Sequence, residues 1–126
     1  MTALPALTAL LTYRLNGAAA EFSAAAGHMA ERVRTDGDPG VLTYRFFVDE
    51  GSARAVVDYR DPAAWIAHHD MIMGWPEMAE LRRVATLSEI TFLGEVSGAM
   101  LDWLSRSGLK AEVRHGARLT AGFIRD

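Results

Sequence analysis

Apolar and polar positions along the chain change period several times, and each change marks an element. From Ser52 to Arg60, Ala53, Ala55, Val57 and Tyr59 alternate with Arg54, Val56, Asp58 and Arg60, the two-residue period of a strand. Asp61-Pro62 follows. Asp61 can accept a bond from a free backbone N–H, and Pro62 suits the first helical position, where its missing N–H is not needed. The period then lengthens: Trp65, His68 and Ile72 fall three and four apart on one face of a helix. That face is expected to look at the core, and any chemical site to lie between this helix and the sheet.

The same reading extends in both directions. Met1 to Leu7 is expected as a lead-in. Thr8 to Leu15 alternates as a strand closed by Asn16-Gly17. Ala18 to Arg34 is rich in alanine and carries Phe22, Ala26, Met29 and Val33 as an apolar stripe, which predicts a helix. Val41 to Asp49 is a strand apolar on both sides, with Leu42, Tyr44, Phe46 and Val48 against Val41, Thr43, Arg45 and Phe47. Two apolar faces call for two covers: helices on one side, a second sheet from a partner chain on the other. Glu50-Gly51 makes a short hairpin to the Ser52 strand. Pro76 restarts a helix with Met78, Leu81 and Ala85 as its stripe, and Ile90 to Val96 is the last core strand. The order is βαββαβ, an α+β ferredoxin-like unit with an antiparallel sheet over 1–97. Gly98 to Arg106 reads as a short amphipathic helix, and Leu109 to Ile124 as one or two strands broken at His115-Gly116. This extension, 98–126, is expected to dock on its own domain or on a partner protomer.

Composition narrows the picture. With 126 residues, half of them hydrophobic, the chain can build one real core. The net charge of −3 and the lack of a basic stripe argue against nucleic acid as a partner. The absence of cysteine excludes disulfides, a thiol nucleophile and thiolate-held metal. No apolar run reaches the roughly 18 residues of a membrane span, and the N-terminus lacks a basic signal-peptide start. A cytoplasmic location, with no membrane partner, is the expectation.

The stretches Pro39-Gly40-Val41-Leu42-Thr43-Tyr44-Arg45-Phe46 and Val56-Val57-Asp58-Tyr59-Arg60-Asp61-Pro62-Ala63-Ala64, followed by His68, resemble the antibiotic biosynthesis monooxygenase group of the dimeric α+β barrels. The resemblance runs from about Thr8 to Ser97. It implies a homodimer with two sheets face to face and a pocket between sheet and helices in each protomer. Activities in that group include cofactor-free oxidation of polycyclic phenols, haem degradation and isomerisation. Asp58 stands where the group commonly has Glu. The Asn in the first strand and the later iron-binding His of the haem degraders are missing here, which argues against haem.

His68 is the candidate catalytic residue, as a general base or as a hydrogen-bond donor to a substrate oxygen. Trp65, Tyr44, Tyr59, Trp75, Phe46 and Phe92 are the candidate substrate-binding residues, each also of a type that fills ordinary cores. His69, one step round the helix, is expected at the surface. Neighbouring helical side chains point about 100° apart, so His68 and His69 do not form a natural metal pair. No phosphate-cradling loop exists. No cofactor is expected. The function read from these residues is a cofactor-independent monooxygenase acting on an aromatic or polyketide-like small molecule. An isomerase, cyclase or binding protein on the same scaffold, and a dimeric interaction module without catalysis, are the alternatives.

Overall fold

The computed structural model describes residues 3–126; Met1 and Thr2, the start of the expected lead-in, lie outside the described residues. Nine elements follow one another: β1 (Leu7–Leu15), α1 (Ala19–Asp36), β2 (Val41–Val48), β3 (Ser52–Tyr59), α2 (Pro62–Ile72), α3 (Pro76–Val84), β4 (Ala85–Gly94), α4 (Gly98–Arg106) and β5 (Glu112–Ala117). The sheet order is β2-β3-β1-β4-β5. The first four strands pair antiparallel, in the ferredoxin-like arrangement. β5 adds to the β4 edge in parallel.

One face of the sheet carries the core. Leu7, Ala9 and Tyr13 of β1, Ala53 to Tyr59 at every second position of β3, and Ile90 and Phe92 of β4 are all buried. They meet Phe22, Ala25, Ala26, Met29 and Val33 of α1 and Ala64, Trp65, His68 and Ile72 of α2. The alanines of β3 are what let the helices approach. Gly40 has the same use at one point: a Cβ there would collide with the Ala64 side chain, so only glycine lets α2 sit this close to the start of β2. Asp61 caps α2 by accepting from Ala64 N–H at 2.8 Å, with Pro62 in the first turn.

Three sequence expectations change. In β2 a bulge between Val41 and Thr43 leaves Leu42 out of register, so Val41 shares the inner face with Tyr44 and Phe46 while Leu42 is exposed. The last core strand begins at Ala85, directly off α3, and not at Ile90. A bulge at Ser88, whose hydroxyl donates to Thr12 O at 3.0 Å, breaks the two-residue alternation that would have shown it. The extension forms a single strand through His115-Gly116, because the register shifts there and Gly116 takes a φ of +116°.

The outer face is mixed. Leu10, Val56, Phe47 and Leu93 lie among Thr8, Thr12, Thr43, Arg45, Asp58 and Thr91. Asp58 accepts from Thr8 and Thr43 at 2.5 and 2.6 Å, tying β1 and β2 to β3. Phe47 is half exposed, at 52 %. No helix among the described residues is long and apolar enough to cross a membrane.

Candidate active site

Between the core face of the sheet and helices α2, α3 and α4 lies a cavity of about 500 Å³. Its floor is Ala9, Leu11 and Tyr13 of β1, Ala55, Val57 and Tyr59 of β3, and Tyr44 and Phe46 of β2. The small alanines and valine make the room, and the aromatic rings bound it. α2 forms the wall with Trp65, His68, His69 and Ile72, and Met73 just past its end continues it.

Of the residues singled out in the sequence, His68, Trp65, Tyr44, Tyr59 and Phe46 come together on this cavity. Two do not. Phe92 is fully buried behind Trp65, with ring centroids 5.8 Å apart, because its strand position puts it under the indole and not beside the void. Trp75 lies in the α2–α3 junction, where Arg32 of α1 stacks on its ring at 4.4 Å. It joins α1 to α3 and leaves the cavity alone.

His68 is 1 % exposed. Its ring packs edge-on to Tyr44 at 5.6 Å and beside Tyr59 at 5.9 Å. Its Nδ1 is buried without a hydrogen-bond partner. Nε2 is therefore the nitrogen left to meet a ligand. Loss of water pushes its pKa down to about 3, with a smaller contribution from His69. At neutral pH the ring is uncharged. A buried lone pair without a partner on Nδ1 costs less than a buried N–H without one, so the favoured tautomer carries the proton on Nε2.

His69 departs from expectation. It is not a surface residue: it is half-buried and lines the cavity. The reason is the extension. Trp103 of α4 packs at 5.3 Å from Trp65 and 5.5 Å from His69, and its indole N–H donates to Asp70 at 2.8 Å. α4 thus roofs the side of α2 that a bare βαββαβ unit would leave wet. His69 also stacks on Trp65 at 4.1 Å. Its Nδ1 lies 2.8 Å from Trp65 O, a carbonyl that can only accept, so Nδ1 carries the proton and Nε2 carries a lone pair. Desolvation outweighs that bond and the nearby Asp70, bringing its pKa to about 4.

The tyrosines are apolar walls in the resting protein. Burial raises the phenols of Tyr13, Tyr44 and Tyr59 well above their ordinary range, so all three stay protonated. The arrangement is a largely apolar, aromatic-walled cavity with two adjacent neutral imidazoles, one offering a donor and one an acceptor. Among the described residues no group of three or more His, Asp or Glu side chains is placed to hold a metal ion.

By sequence, no protein-family model and no curated protein matches the chain. By structure it is similar to MupZ from Pseudomonas fluorescens, with a TM-score of 0.69 at 20% identity over 94% of this chain and 93% of that one. It is also similar to SnoaB, a cofactor-independent oxygenase from Streptomyces nogalater (TM-score 0.62, 17% identity, 72% of this chain and 93% of that one). A provisionally named antibiotic biosynthesis monooxygenase from Deinococcus radiodurans gives a TM-score of 0.51 at 19% identity, over 72% and 94%. The chain thus has the antibiotic biosynthesis monooxygenase-like fold. The coverage of the MupZ match is more than residues 1–97 could supply, so the likeness reaches into the extension.

Proposed function

We propose that this protein is a cofactor-independent monooxygenase for an aromatic or polyketide-like small molecule. The observation that carries the reading is the pair of neutral imidazoles set on one wall of an aromatic-lined cavity of about 500 Å³. That volume suits a multi-ring ligand. The likeness to a cofactor-independent oxygenase supports the choice among reaction types.

In this reading His69 Nε2 takes the proton of a phenol or enol, and His68 Nε2–H donates to the oxygen where negative charge develops. An electrophile need not be charged: a neutral imidazole is a competent donor. As the anion forms, its charge raises the pKa of the adjacent imidazole, which makes the transfer easier than the resting values imply. The electron-rich anion then reduces O₂. For a hydroquinone the balance is one O₂ in, one oxygen atom into the ring as a hydroxyquinone, and the other released as water. Both electron pairs come from the substrate, so no external reductant enters. Tyr44, Tyr59, Phe46 and Trp65 exclude water and hold the rings flat.

The reading includes a cytoplasmic homodimer in which the outer sheet faces of two protomers meet. Leu10, Val56, Phe47 and Leu93 supply apolar contacts in such a dimer. Sedimentation at micromolar concentration is expected to give twice the chain mass; a monomer would remove the dimer from the proposal. The test of function is oxygen uptake with a panel of naphthalene and anthracene hydroquinones. Uptake equal to product formed, insensitive to chelators, is expected. Product formed without O₂ would instead identify an isomerase or cyclase.

A further inference from the structure

The cavity is polarised along its length. α2 starts beside Tyr59 and runs back along the sheet, so Met73 lies at the far end from that tyrosine. The deep end is closed: Ala9, Val57, Tyr59, Trp65 and His68 are all buried. The other end is open. There the lining is Met73, Arg82, Thr86, Gly108, Leu109 and Lys110, all exposed. The register places these together. β4 begins at Ala85 opposite Leu15, and the parallel pairing of Glu89 with Glu112 brings the segment before β5 alongside the start of β4. From Ala9 to Tyr13 the β1 part of the floor covers about 13 Å at about 3.3 Å per residue. A volume of about 500 Å³ drawn over that length is a narrow slot.

Two cations flank the open end, Arg82 and Lys110, and among the described residues no carboxylate lines the cavity. The neighbouring acids are engaged elsewhere. Glu77 and Glu80 of α3 bind Arg32 and His28 of α1, both at 2.9 Å. Glu112 binds Arg114 at 3.0 Å. Arg82 is left with the thioether of Met73 at 3.2 Å, a weak acceptor. In a chain of net charge −3 this is a local excess of positive charge at the open end of a largely apolar slot.

We propose that the ligand is an elongated aromatic acid, with its rings toward His68 and His69 and its carboxylate at the mouth between Arg82 and Lys110. The guanidinium fork of Arg82 matches a carboxylate, and Lys110 adds a point charge. Lys110 comes from the extension, so the extension supplies half of the recognition as well as the roof over His69. This inference deepens the function proposed above and rests on the cavity being a small-molecule site.

The test is calorimetric binding of 2-naphthoate and of its uncharged partner 2-naphthamide at pH 7.5 and low salt. Naphthoate is expected to bind about 10-fold more tightly. Arg82→Gln and Lys110→Gln, both exposed and away from the core, are each expected to weaken naphthoate about 3- to 5-fold and to leave naphthamide unchanged. Raising salt is expected to reduce the preference. Equal affinity of the two probes, or naphthoate binding indifferent to both substitutions, overturns the inference while leaving an aromatic site. If neither probe binds the folded protein, both the inference and the proposed function fall.

Discussion

The two ends of the cavity differ in what water can reach. At the deep end, His68 sits among Tyr44, Tyr59 and Trp65 with one ring nitrogen unpartnered, and desolvation holds it neutral. At the mouth, Arg82 and Lys110 keep their hydration and lie in solvent. A polar group without a partner is expensive only where water is excluded. Substitutions at the deep end should therefore change stability and chemistry together, whereas substitutions at the mouth should change ligand affinity alone.

The largest test of that contrast is Trp65→Ala. The indole is 2 % exposed and touches Phe92, Trp103 and His69. Its loss is expected to cost about 3–5 kcal/mol in chemical denaturation, the range for truncating a buried large aromatic. A cost below about 1 kcal/mol would mean that the deep end is loosely packed. Next comes His69→Ala, expected to lower turnover of an identified substrate by about 10²-fold or more. His68→Ala should also lower turnover. Activity retained in His69→Ala but lost in His68→Ala would return the base to His68.

Acid should act through the same end. Both histidines have folded pKa values depressed below the unfolded value of 6.5, to about 3 and about 4. The unfolded chain then binds more protons between those limits. The stability from keeping the rings neutral is complete above pH 6.5 and is lost as pH falls toward 3–4. At pH 5 the loss is on the order of 2 kcal/mol per imidazole. Urea midpoints at pH 7.5 and pH 5 check it, and the difference should shrink in His68→Gln.

Two smaller effects sharpen the boundary between the ends. Trp103→Ala removes the roof and the bond to Asp70, so the His69 pKa should rise toward 6.5 in an NMR titration while that of His68 stays low. Lys110→Ala should leave the unfolding free energy from urea titration within about 0.5 kcal/mol of the parent, as expected for an exposed side chain.

The order of elements, the cap at Asp61-Pro62 and the buried face Trp65–His68–Ile72 were legible in the chain, because each depends on residues within one or two turns of each other. So was the alternation of β3, and the pattern named Tyr44, Tyr59, Phe46 and Trp65 as candidates; which face of the strands turns to the helices, and so groups these rings on one cavity, only the packing decided. What the chain could not reveal depends on contacts between distant segments. The bulges at Leu42 and Ser88 reset the two-residue period, and nothing local marks a residue that falls out of register. Trp75 and Phe92 have the right chemistry for a pocket, but Arg32 and Trp65, far off in sequence, occupy their faces. His69 looked like surface because a helix seen alone has one core side; α4, returning from beyond Ser97, gives it a second. The βαββαβ scaffold was thus set by local pattern, while the cover over His69 and the place of Lys110 beside Arg82 at the mouth were decided by how the extension folds back on it.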